Sequence, residues 1–112
     1  ARRSDGSFLD SHALLLGRTP TRPVAPGPGE ATTLCVVATD APLPRVDLLR
    51  VVRMAATALA RRISPVHTPY DGDLVFGVST GEVVSPPATV ELLALGAAGR
   101  EVLERAIERA VS

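Results

Sequence analysis

The sequence of 112 residues has no lysine, asparagine, glutamine or tryptophan and a single cysteine. One cysteine excludes an internal disulfide, and we expect a reducing compartment, the cytoplasm. The hydrophobic content of 46% is enough for a packed core. Because the aromatic residues are only two phenylalanines and one tyrosine, that core must be built from Ala, Val and Leu. No apolar run approaches the roughly 18 residues that span a bilayer, and the first residues lack the apolar centre of a signal peptide. We therefore expect no membrane partner.

An excess of one charge is also missing, because twelve arginines balance twelve acidic residues. Binding to the phosphates of nucleic acid or of an anionic membrane surface needs clustered cations. The balanced charge therefore argues against nucleic acid as a partner.

Residues 1–31 differ in composition from the rest of the chain. Asp10 or Ser11 is suited to cap one or two helical turns, with Gly17 as the left-handed stop. Four prolines and two glycines follow between residues 20 and 29, so we expect an exposed, extended linker there.

The remainder predicts the order strand, helix, strand, helix, hence an α/β fold. Residues 32–39 (TTLCVVAT) are rich in β-branched side chains and apolar on both faces, as in a strand covered on both sides. Helical spacing of apolar residues predicts a helix over 46–62, a second strand follows at 73–80, and a final helix covers 88–111.

The final predicted helix contains two glycines and one favourable charge pair. Gly96 and Gly99 cost about 1 kcal/mol each relative to alanine, so we expect either close backbone packing or a break. Glu101 and Arg105 are four residues apart and predict an ion pair.

Three features are candidates for chemistry: the pair Thr32 and Thr33, the loop YDGD at 70–73, and His67. Each also has an ordinary structural interpretation. Threonine favours strands, Asp-Gly is common in turns, and a histidine in a proline-bounded loop is usually a surface residue. Cys35 is a weaker candidate, because it lies in mid-strand without an evident base.

Together, the segments ATTLCVVATDAP and PVHTPYDGDLVFGVSTG resemble the β-chain segment of the DmpA-type peptidases, peptidase family S58. This family of N-terminal nucleophile hydrolases includes β-aminopeptidases and a nylon-oligomer hydrolase. The resemblance covers roughly residues 30–82. It implies part of a layered α-β-β-α sandwich, with residues 1–31 as the tail of an α chain and 32–112 as the β-chain segment that carries the nucleophile.

The resemblance also implies that the precursor cuts itself between Ala31 and Thr32, which makes Thr32 the nucleophile. The chemistry suits this position, because the freed α-amine has a pKa of about 8 and is a base for the adjacent hydroxyl. Thr33 is the competing assignment, which the resemblance disfavours. The acidic partners of the family match Asp71, expected to orient the nucleophile, and Asp73, expected to support that network.

No cofactor or metal is expected, since the Asp-x-Asp pair offers few oxygen ligands and the family needs none. His67 matches a family position without a catalytic role, so we interpret it as loop structure. Ala31 departs from the asparagine that often precedes the cut in threonine-type relatives. The resemblance implies, as partners, the long α chain of the same precursor and then a homo-oligomer of such αβ units.

The resulting hypothesis is a self-processing aminopeptidase or amidase that acts on a small peptide or amide through an acyl-enzyme. Two alternatives remain open: an acyltransferase like the ornithine acetyltransferases, and an uncut structural or interaction module. Substitution of Thr32 by alanine separates the enzyme from the module.

Overall fold

The computed structural model describes residues 5–7, 10–19, 32–83 and 87–112. The elements are α1 Ser11–Leu15, β1 Leu34–Thr39, α2 Arg45–Arg62, β2 Leu74–Ser79 and α3 Thr89–Val111. The chain is therefore α/β, and the predicted order of strand, helix, strand and helix is confirmed. The linker, with Ala31 at its end, lies outside the described residues.

Local interactions account for the helix boundaries. Asp10 caps α1, because its Oδ1 accepts a backbone N–H of the first turn at 2.9 Å, and Gly17 follows that helix with a φ of +66°. Pro44 precedes α2, in keeping with a ring that restricts the backbone at helix starts. Glu91 accepts the N–H of Ala88 at 3.0 Å at the start of α3.

Within the described ranges, no helix is both long enough and apolar enough to cross a membrane.

The two strands form a parallel pair, and α2 is the crossover between them. The register pairs Leu34 with Leu74 and Thr39 with Ser79. Parallel strands need a crossover of this kind, because a tight turn reverses the chain direction. The residues that precede the two strands consequently lie side by side at one end of the sheet.

The helices cover one face of this sheet. α2 packs on β2, α3 packs on β1, and the helices pack on each other. Buried aliphatic and small side chains fill the space between them: Cys35, Ala58, Leu59 and Leu103. As expected from the composition, small side chains build this helix-on-sheet core.

The opposite face of the sheet is apolar and exposed. Its large side chains are between 44% and 68% exposed: Leu34, Val36, Leu74, Phe76 and Val78. We call these five residues the open sheet face. The sequence predicted cover on both faces, whereas the described part of the chain covers one. The further layers of the sandwich stay a prediction.

The helices approach each other closely where α3 carries glycine. A Cβ atom on Gly96 would overlap with the side chain of Met54, and one on Gly99 would lie 3.3 Å from Cβ of Ala55. Because α3 continues without interruption through both positions, the glycines permit close packing and do not break the helix.

Ion pairs join the helices further along. Glu104, 6% exposed, pairs with Arg61 Nε at 2.6 Å and with Arg62 Nη2 at 2.8 Å. The predicted pair of Glu101 and Arg105 on α3 is confirmed. Glu104 is polar at a buried position, which the helical pattern did not single out.

Candidate functional site

The site lies where two loops meet at the amino ends of the strands. Thr32 and Thr33 lead into β1, and residues 71–73 lead into β2. The N–H of Leu74 donates to the carbonyl of Thr33 at 2.9 Å. The parallel ladder thus begins at the threonine pair and brings it beside the acidic loop.

Asp73 contacts the threonine pair directly. Its side chain is 5% exposed, and its Oδ1 accepts the N–H of Thr33 at 2.8 Å. Its Oδ2 accepts the N–H of His67 at 3.4 Å. Since Thr33 is held by Asp73 through its N–H and by β2 through its carbonyl, its backbone is restrained on both sides. The orientation of the preceding residue, Thr32, is therefore also restrained.

Asp71 makes its hydrogen bonds within its own loop. Its Oδ2 accepts the N–H of Thr68 at 2.6 Å, and its N–H donates to the carbonyl of Thr68 at 3.0 Å. The sequence assigned nucleophile orientation to Asp71 and support to Asp73. In the structure, it is Asp73 that accepts the hydrogen bond from the backbone of the threonine pair, and Asp71 shapes the loop that presents Asp73. A role of Asp71 toward the Thr32 hydroxyl stays a prediction.

Gly72 brings its backbone against the Thr32 side chain. A Cβ atom at Gly72 would lie 3.0 Å from Oγ1 of Thr32 and 3.5 Å from its Cγ2. Glycine is suited to such a close approach because it carries no side chain. The Thr32 hydroxyl therefore lies over the centre of the Asp-Gly-Asp loop, while Thr32 itself is exposed.

A cavity of about 670 Å³ opens beside Thr33. Apolar residues form much of its wall: Cys35, Ile63, Leu103, Ile107 and Val111. Two charged residues reach it, Asp10, which caps α1, and Arg62, which pairs with Glu104. The site therefore lies next to an apolar cavity that is large enough for a small organic group.

Cys35 is buried behind the site. Burial raises the pKa of its thiol, and the negative charge of Asp73 raises that pKa further. A thiol with a raised pKa stays protonated at neutral pH and is a poor nucleophile. Burial of Cys35 as a small hydrophobic residue, as the sequence indicated, is confirmed.

The two carboxylates of the loop accept backbone N–H groups. Within the described ranges, no three His, Cys, Asp or Glu side chains lie close enough together to hold a metal ion. Asp71 makes its hydrogen bonds within the loop, and Asp73 joins the loop to the start of β1.

His67 is the neighbour of the site whose contact the sequence did not identify. Its Nδ1 lies 3.6 Å from Oδ2 of Asp73, and its backbone has a φ of +54°. The available signal was its position six residues before Asp73 in the run HTPYDGD. The unusual backbone angle leaves no mark in the sequence.

Comparison with known families and proteins adds an independent observation. A sequence model described as peptidase family S58 matches residues 5–112. The match includes both loops of the site and every helix and strand described above.

Several curated proteins are similar to this chain. An uncharacterized aminopeptidase of Mycobacterium bovis is 41% identical over 86 residues, which cover 68% of this chain and 25% of the relative. An uncharacterized aminopeptidase of Mycobacterium leprae is 41% identical over 90 residues, covering 71% and 25%. The 6-aminohexanoate-oligomer endohydrolase of Paenarthrobacter ureafaciens is 31% identical over 84 residues, covering 68% and 24%. The chain spans about a quarter of the length of these relatives.

Proposed function

This chain belongs to peptidase family S58, and from that premise we propose that it is part of a self-processing hydrolase of amide bonds whose nucleophile is Thr32. The observation that carries the proposal is the contact between Thr32 and the Asp-Gly-Asp loop. The Thr32 hydroxyl lies against Gly72, and the backbone of the next residue is hydrogen-bonded to Asp73. The relatives named aminopeptidase and 6-aminohexanoate-oligomer endohydrolase support amide bonds as the substrate class.

The proposed reaction begins with a cut between Ala31 and Thr32, which frees the α-amine of Thr32. At a pKa of about 8, that amine is able to take the proton of its own hydroxyl. Oγ1 then bonds to the substrate carbonyl carbon, the C–N bond breaks, and the amine passes the proton to the leaving nitrogen. Water attacks the resulting ester, releases the acid and restores the hydroxyl of Thr32.

In this reaction, Asp73 holds the backbone next to Thr32 in place. A buried carboxylate that accepts a backbone N–H at 2.8 Å makes a strong, directional bond. It holds the strand at Thr33, so that the hydroxyl and α-amine of Thr32 keep their places while bonds form and break. Groups that stabilise the oxyanion typically contribute about 3–4 kcal/mol, and we assign them to the rest of the complete protein.

The open sheet face supports a partner. Parallel sheets are normally covered on both faces, and a two-stranded sheet alone is marginal. The chain also spans only about a quarter of its relatives. We assign this face to the remaining part of the same precursor, the α chain, with a homo-oligomer of αβ units as the final assembly.

The test uses the complete protein, with intact mass and amino-terminal sequencing of the smallest fragment. The proposal expects a fragment that begins TTLCVV and hydrolysis of aminoacyl amides. Thr32→Ala should abolish both, because it removes the hydroxyl.

Thr33→Ala is the matched control, since it removes a hydroxyl one residue away but keeps the N–H that binds Asp73. It should still be cut before Thr32. A fragment of the native protein that begins TLCVV, together with loss of the cut in Thr33→Ala, would instead assign the nucleophile to Thr33. A single species that stays uncut for days would overturn the proposal in favour of an interaction module, and preferential transfer of the acyl group to an added amine would identify an acyltransferase.

A further inference from the structure

His67 has an unusual backbone conformation. Among the residues that the structure describes, it is the one non-glycine residue with a positive φ, +54°. Side chains with a Cβ atom disfavour this left-handed region, although histidine, asparagine and aspartate occur there more often than other residues. In this conformation, the N–H of His67 points at Oδ2 of Asp73, 3.4 Å away.

The ring of His67 faces the same oxygen. Nδ1 lies 3.6 Å from Oδ2 of Asp73, and the ring is exposed while the Asp73 side chain is buried. This distance is longer than a hydrogen bond and places the ring in contact with the carboxylate. The other oxygen, Oδ1, binds the N–H of Thr33 at 2.8 Å. One carboxylate thus links the His67 loop to the head of β1.

We propose that His67 is a positioning residue, which holds the Asp73 carboxylate in the orientation that fixes Thr33 and thereby Thr32. The inference rests on the proposed function and deepens it. Oδ1 of Asp73 binds Thr33 while Oδ2 faces His67, so the contacts at the two oxygens together fix the plane of the carboxylate. His67 supplies a backbone and a side-chain contact to Oδ2, whereas Asp71 binds within its own turn.

Three substitutions separate the ring from the backbone. His67→Gly keeps the left-handed backbone without strain and removes the ring. His67→Asn tolerates the same backbone and retains a nitrogen donor attached at the γ carbon, as Nδ1 is. His67→Asp has the shape of the asparagine variant but places a negative charge beside Asp73. The asparagine variant is therefore the matched control for both others.

The experiment measures kcat and KM for aminoacyl amide hydrolysis by the complete protein, with kcat calculated per cleaved chain from intact mass. A displacement of 1 Å at a reacting group costs up to ~100-fold in rate, so a loosened Asp73 should lower kcat about tenfold in His67→Gly and more in His67→Asp. His67→Asn should restore kcat to within about threefold of the native protein. KM should change less than twofold, because the inference gives His67 no contact with the substrate.

Two outcomes would overturn the inference. One is a kcat in His67→Gly and His67→Asp equal to that of the native protein. The other is a loss in His67→Asn as large as in His67→Asp, since shape and not the donor would then matter. If His67→Asp fails to fold, the glycine and asparagine variants decide alone. Thr32→Ala, measured in parallel, separates the two proposals: full activity in that variant defeats the proposed function, whereas inactivity there with unchanged His67 variants defeats only the role of His67.

Discussion

Replacement of Gly72 by alanine should separate activity from stability. The new Cβ atom would lie 3.0 Å from Oγ1 of Thr32, whereas carbon and oxygen atoms in close contact are normally about 3.3–3.6 Å apart. The hydroxyl must therefore move by about 0.3–0.6 Å. Gly72 is not among the glycines with positive φ, so alanine is compatible with its backbone, and the steric effect falls on the Thr32 hydroxyl, the proposed nucleophile.

The size of the loss follows from that displacement. If 1 Å costs about 100-fold in rate, 0.3–0.6 Å corresponds in proportion to about 4- to 16-fold in kcat. This equals about 0.8–1.6 kcal/mol of activation free energy. In the opposite direction, glycine to alanine at a compatible position stabilises by about 0.4–1 kcal/mol, because the unfolded chain loses freedom. We expect a lower kcat with an unchanged or higher Tm.

The assay is the initial rate of aminoacyl amide hydrolysis by the complete protein, together with its thermal unfolding. Thr32→Ser provides the control background, because it removes Cγ2, which lies 3.5 Å from the new Cβ position, and gives the hydroxyl room to turn. The loss caused by Gly72→Ala should be smaller in that background, a coupling that a double-mutant cycle measures. A kcat for Gly72→Ala equal to that of the native protein would refute the close contact as a determinant of activity.

Two further outcomes follow from buried groups. Glu104→Ala should lower the free energy of unfolding by about 1–2 kcal/mol. The loss is modest for a charged hydrogen-bond network because Arg61 and Arg62 remain partly in water. An unchanged thermal unfolding curve would contradict this prediction. The raised pKa of Cys35 adds stability that is complete below the ordinary thiol pKa of 9.0 and is lost as the pH rises through the raised value. Above about pH 9, the Tm of the native protein should therefore fall more steeply than that of Cys35→Ala, and parallel pH profiles would count against it.

The sequence predicted the elements well because their signals are local. Helical spacing in residues 46–62 matches α2 within one residue, and the apolar runs match β1 and β2 to within two residues at each end. Gly17 predicted the end of α1 because a left-handed stop is a single-residue property. The two possible outcomes for Gly96 could be separated only in three dimensions, where Met54 occupies the space that a Cβ atom would need.

The site was harder to predict because its contacts cross the chain. The loop DGD was identified, but the partner of Asp73 depends on the strand register, which local patterns do not define. The structure places Asp73 at Thr33 and Asp71 at Thr68. The positive φ of His67 arises from the loop as a whole. Residue types therefore suggested the chemistry of the loop. The hydrogen-bond partner of each carboxylate could be identified only from the structure.

The hydrogen bond from Thr33 to Asp73 joins residues that are 40 positions apart. Between them, the chain must complete β1, wind all of α2 and return to pair β2 in register. Closing such a loop costs entropy before any contact compensates for it, so we expect this pairing to form late in folding. A slip of one residue would place the neighbours of Asp73 on the wrong face and leave Thr33 without its acceptor. The arrangement at Thr32 thus depends on a completed crossover, so we expect the proposed nucleophile to stay inert on a nascent chain.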